Sequence, residues 1–153
     1  MVWRTMEKIS SVQKNIDSFL NEDNLYGVFY LDNDLQEMAK FGAIPKTKYE
    51  IHIESGEGFV PHMHICIKTG KNVVLRLCIL KNTYFREKDD VCNELNAGER
   101  KALDNYLNSI YNAEFNITRW QALCMQWNDR NPAHIIKNIK SLTKPDYTTI
   151  NEP

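Results

Sequence analysis

The sequence predicts an α+β fold, a small antiparallel sheet of three or more strands packed on one face by helices. Three observations carry that expectation. Apolar and polar residues alternate through three short segments between residues 48 and 80. Apolar residues recur at helical spacing near 7–20, 97–111 and 118–128. Turn-forming residues sit between these segments and leave their interiors clear.

Taken in order, Ile9, Val12, Ile16, Phe19 and Leu20 form one stripe of a helix over 6–20. LYGVFYL (25–31) reads as a strand weakened by Gly27, and DLQEMAKF (34–41) as a short helix capped by Asp32 or Asn33 and stopped by Gly42. KYEIHIE (48–54), HMHICIK (62–68) and NVVLRLCIL (72–80) alternate and are rich in β-branched residues. They most simply form a meander. Asn96 followed by Glu99 makes a capping box for a helix whose stripe is Leu103, Tyr106, Leu107 and Ile110. Trp120, Leu123, Cys124 and Trp127 fall at i, i+3, i+4 and i+7, a core-packing stripe that Pro132 closes off. Residues 137–153 read as a loosely held polar tail on a single domain, 1–153.

Composition narrows the functional classes. The chain has 153 residues, 42% hydrophobic and 25% charged, with net charge −1, so it carries no bulk electrostatic footprint for nucleic acid. No run approaches the ~18 apolar residues of a membrane span. The amino terminus lacks the apolar region of a signal peptide. Cys66, Cys78, Cys92 and Cys124 are scattered without a CxxC, which points to reduced thiols in a cytoplasmic setting.

The chemistry concentrates in GEGFVPHMHICI (56–67). Of four histidines, His52, His62 and His64 fall in this region, and the fourth, His134, is expected in the loop after the last helix. Burying Ile51, Ile65 and Leu77 on one side sets a register in which His52, His64 and Cys78 make one cross-strand row on the other. Glu54 then faces His62, and Cys66 lies between Glu50 and Arg76. Histidine, glutamate and arginine are ordinary on a solvated sheet face. Two chemical readings stand beside that one. His52, His64 and Cys78 could ligate zinc, with an open fourth position. Alternatively His62, His64 and His52, one of them oriented by Glu50 or Glu54, could do acid/base work while Arg76 stabilises phosphate charge, a set suited to metal-free RNA transphosphorylation.

The HxH pair resembles part of the HxHxH strand of the histidine-triad hydrolases, with Cys66 in the third position. More broadly, the VPHMHI strand start, the arginine-bearing strand after it, LNAGERKALDNYL and RWQALCMQWNDRNP resemble a domain-of-unknown-function family of small bacterial and bacteriophage proteins. The resemblance covers roughly 48–132, and Pro61-His62-Met63-His64 is its most specific part. It implies an α+β fold and gene company with mobile elements or toxin–antitoxin-like pairs; His62 and His64 match its motif. Two functions are therefore expected. One is a protein-interaction or regulatory member of a mobile-element, toxin–antitoxin-like or phage-defence system, with a protein partner. The other is a small phosphodiester hydrolase acting on RNA through the histidine cluster, with or without zinc. Neither involves a membrane, and neither requires any other cofactor.

Overall fold

The structure is a computed structural model that describes residues 38–69, 72–86 and 93–152. The helix expected over 6–20 and the strand expected over 25–31 lie outside these residues, as does Cys92.

Four strands form an antiparallel meander in the order β1 (Met38–Ala43), β2 (Tyr49–Glu54), β3 (His62–Ile67), β4 (Val73–Cys78). The first is a correction. The sequence pattern favours a helix end over 38–41, yet these residues pair along β2, because edge pairing outweighs the helix preference of Met, Ala and Lys. A register shift between Lys40 and Gly42 marks a bulge there. The bare backbone of Gly42 leaves room there for the Tyr106 hydroxyl, which a Cβ would force to shift.

Two helices follow, α1 (Ala97–Asn108) and α2 (Arg119–Arg130), joined through a small hairpin of β5 (Ile110–Asn112) and β6 (Ile117–Thr118). Both helices start with a complete capping box, Asn96 with Glu99 and Thr118 with Gln121. Leu103 and Leu107 are buried as the α1 stripe requires. Ile110 departs from that stripe: the helix has ended, and the residue is 46% exposed on β5.

The core lies between the helices and one sheet face. Ile51, Ile53, Met63, Ile65 and Leu77 are fully buried there against Leu103, Leu107, Leu123 and Trp127. Trp120 donates its indole N–H to the carbonyl of Ile79, 3.0 Å away, which satisfies the polar edge of a buried ring. At a few kcal/mol per large buried side chain, this face supplies the main stabilisation of the fold.

The segment beyond 137, expected to be loosely held, is fastened. A 3-10 turn (Ile139–Ser141) buries Ile139, and Tyr147 is fully buried with its hydroxyl donating toward the carbonyls of Cys78 and Ile79, at 2.7 and 2.9 Å. Asp104 of α1 accepts from the Tyr147 amide and pairs with Lys144, and Asn151 bridges to Thr83. Among the described residues no helix is long and apolar enough to cross a membrane.

Candidate metal centre

Strand alternation sends Glu50, His52 and Glu54, together with His62, His64 and Cys66, to the sheet face opposite the core. That face is not solvated. His62 and His64 are each 1% exposed, and His52 and Glu50 each 5%. Withdrawing such groups from water is costly unless each gains hydrogen bonds or a counter-charge. The arrangement of these groups therefore carries functional information.

Within the strands, the register pairs Ile51 with Ile65 and His52 with His64, as the alternation argument requires. The next pairing is shifted by two residues. Ile65 lies opposite Leu75, and His64 opposite Arg76, while Cys78 faces His62. The expected row of His52, His64 and Cys78 is thus replaced by His52, His64 and Arg76. Cys66 pairs with Glu50 on one side and Val73 on the other, through a bulge, so Arg76 is not its neighbour in the ladder.

A group missed by strand logic completes the cluster. Glu57, in the β2–β3 loop, converges with His62 and His64 so that one ligand atom from each lies within 4.8 Å of the others. Glu57 Oε1 is 3.4 Å from His64 Nε2 and 3.7 Å from His62 Nε2, and Glu54 Oε2 is 3.4 Å from the same His64 nitrogen. These separations exceed the ~2.8 Å of a charge-assisted hydrogen bond. They match the edge of a tetrahedron of ligands around one cation, which for bonds of about 2.1 Å is about 3.4 Å.

The tautomer of His62 points the same way. Its Nδ1 lies 2.8 Å from the Val60 carbonyl, a pure acceptor, so Nδ1 carries the hydrogen. Nε2 then faces the Glu57 carboxylate, as an N–H paired with it when the ring is protonated and as a lone pair when the ring is neutral. Two electron pairs facing each other need a cation or a proton between them. A histidine whose far nitrogen donates to a backbone carbonyl is also the usual support of a metal ligand. The His62 ring is held flat between His64 and Phe85, with centroids 5.3 and 4.1 Å away.

Glu57 reaches the histidines because α2 holds its loop. The Asn131 side chain accepts from the Glu57 amide at 2.7 Å and donates to the Glu54 carbonyl at 3.0 Å. The Gly56 amide donates to the Arg130 carbonyl, and Gly56 takes φ 68, a left-handed turn that glycine adopts without strain. His134 lies nearer this loop than its place in the sequence suggests, its ring 4.6 Å from that of Phe59.

His52 and Cys78 stand apart from the cluster. His52 Nε2 is 2.8 Å from Glu50 Oε2, a direct hydrogen bond, and Lys40 Nζ lies 3.6 Å from the same oxygen. Cys78 Sγ accepts from the Thr83 hydroxyl at 3.3 Å. Burial, with the Glu50 charge adding and Arg76 opposing, pushes the Cys66 thiol up to about 11, and Cys66 is not among the three residues whose ligand atoms converge. Glu54 is the group poised to titrate. Its carboxyl is pushed up to about 7, first by a shared hydrogen bond with Glu57, then by burial and the Glu57 charge, against the pull of Arg76 and His62. The site thus combines two imidazoles and a carboxylate, a donor set that could hold a metal ion, with a second carboxyl carrying an exchangeable proton.

Comparison of the chain with protein-family models, with curated proteins and with solved structures finds no match.

Proposed function

We infer that this protein is a metal-dependent hydrolase of phosphodiesters, with Glu57, His62 and His64 as ligands of a single zinc ion. The observation that carries this reading is the set of 3.4 and 3.7 Å separations between the half-buried Glu57 carboxylate and two buried imidazoles, together with the His62 Nδ1 held by the Val60 carbonyl. Two histidines and one glutamate form a ligand set of catalytic zinc, which leaves a position for water or substrate. A cation there would polarise a phosphoryl oxygen and make a bound water acidic. The protein groups around it supply the rest. With its carboxyl raised to about 7, Glu54 in its ionised form can accept the proton of the attacking water and then hand that same proton to the leaving oxygen. Arg76, across the strand from His64, supplies positive charge for the phosphate.

The test is direct. Protein purified without chelator should carry about one zinc per chain by elemental analysis, and RNA should be cleaved by it and spared after chelation. Glu57→Gln and His64→Ala should each remove the metal. Cleavage that survives chelation would reject the metal role and favour the metal-free His–Glu route.

A second reading is favoured by one observation. Phe59 and Val60, at the loop tip above the site, are 83% and 45% exposed. They suit an interaction module, the regulatory member of a two-protein system, in which the histidine centre braces a docking loop. A pull-down from the native host in which Phe59→Ala loses a partner that His64→Ala retains would support it. Recovery of no partner by the unmutated protein would count against it.

A further inference from the structure

At the opposite end of β2 and β3 from the histidines lies a feature the first site does not use. An open cavity of about 1050 Å³ is bordered by Lys46, Lys48, Lys68 and Lys101, and by Asn96 and Gly98 at the start of α1. It runs into a smaller one of about 290 Å³, which shares Lys46, Ala102 and Asn105 and adds Tyr106 and Arg119. Together they make a continuous groove along α1. From Gly98 to Ser109 the helix advances about 16 Å, room for several successive phosphates of an extended strand.

The charge of this groove contrasts with the chain as a whole, whose net charge is −1. Five cationic side chains line it, and the acidic one, Glu99, is occupied by capping α1 through the Asn96 amide. Among the described residues none of the four lysines forms an ion pair. Lys68 is steadied by the Thr47 carbonyl at 2.6 Å. Arg119 is held by the Ser109 hydroxyl at 2.6 Å and lies over the Tyr106 ring, 5.1 Å from its centroid. Gathering five cations around one acidic group is unfavourable for the isolated fold, and an anionic ligand relieves it. The groove also has an aromatic end. Tyr106 lines it, and Tyr111, on β5 within electrostatic reach of Arg119, is 44% exposed.

A basic groove that leads to a half-buried ring, Tyr106, and on toward an exposed one, Tyr111, has the chemistry of single-stranded nucleic acid recognition: cations meet phosphates, and rings stack on bases. An acidic protein surface would satisfy the lysines and leave the tyrosines unused. We propose that the groove along α1 binds a single nucleic-acid strand, phosphates along Lys46, Lys48, Lys68 and Lys101 and bases toward Tyr106 and Tyr111. This inference is independent of the metal reading, because the groove and the Glu57 cluster share no residue.

The experiment is fluorescence anisotropy of a labelled oligothymidylate of about twelve nucleotides, within the usual site sizes. It is measured in chelator across a salt series, so that failure of the metal site leaves the result intact. The unmodified protein should bind at about 50 mM salt and weaken steeply as salt rises. The triple variant Lys46→Gln, Lys48→Gln, Lys101→Gln should bind at least about tenfold more weakly and flatten the log–log salt slope by about 2. All three side chains are exposed, so the variant should melt like the parent. Tyr111→Ala should weaken binding several-fold with the salt slope unchanged. No binding by the parent at low salt, or an unaltered triple variant, would overturn the proposal. So would equal affinity for heparin together with no effect of Tyr111→Ala, which would identify a generic polyanion surface.

Discussion

Two adjacent rows of one sheet, Ile51–Ile65–Leu75 and His52–His64–Arg76, run across the same three strands and point to opposite faces. In both rows the members on β2 and β3 are withdrawn from water, at 0% and 0% for the isoleucines and 5% and 1% for the histidines. The first row gains free energy from burial alone. The second must be compensated group by group. Burial on both sides thus separates what holds the fold from what the fold holds.

The largest expected effect tests the apolar side. Ile65→Ala should cost about 2–5 kcal/mol in denaturant unfolding, with or without zinc. On the other side, His64→Ala should abolish the zinc-dependent rise in stability, which for the parent is about 2.7 kcal/mol at a hundredfold excess over Kd. If zinc raises the melting temperature of both proteins equally, the ligand assignment fails and the contrast between the faces loses its basis.

A pH series in chelator probes the same face. Because the Glu54 carboxyl is raised to about 7 in the folded chain, the folded state holds a proton that the unfolded chain has released. Its contribution to stability is complete below the unfolded value of 4.5 and is lost as pH rises through about 7. The carboxyl is partly exposed, with 31% of the side chain accessible, so solvent screening reduces the effect to about 1 kcal/mol. Denaturant midpoints should therefore fall between pH 5 and pH 8, and Glu54→Gln should flatten that fall. The smallest effect belongs to His52→Gln, which keeps a donor for Glu50. It should change stability by less than about 1 kcal/mol and leave the metal content untouched. Loss of metal in that variant would return His52 to the ligand set.

Alternation makes the two faces legible in the sequence, because i and i+2 share a side whatever the pairing. It also places Ile51 opposite Ile65 across a short loop. It does not fix the β3–β4 pairing, which depends on the turn before Val73 and on the bulge at Cys66, and neither leaves a mark in an apolar pattern. The same limit moves Cys78 out of the row and brings Arg76 in. Glu57 escapes sequence reasoning for another reason. It lies on no strand, and its direction is set by hydrogen bonds to a residue at the end of a helix. The available signal is an acidic residue between Gly56 and Gly58, four residues ahead of a Pro-His-x-His segment. Residues 38–41 mislead because their composition favours a helix, whereas the open edge of β2 decides their state.

The Asn131 clamp has a consequence for biosynthesis. The groups it joins are separated by 74 and 77 residues along the chain. A chain made from its amino terminus exposes His62, His64 and Glu57 well before Asn131 leaves the ribosome. Until then the Glu57 loop lacks the Asn131 hydrogen bonds that hold it beside the histidines. The cluster is thus assembled only when α2 is complete, whatever it goes on to bind.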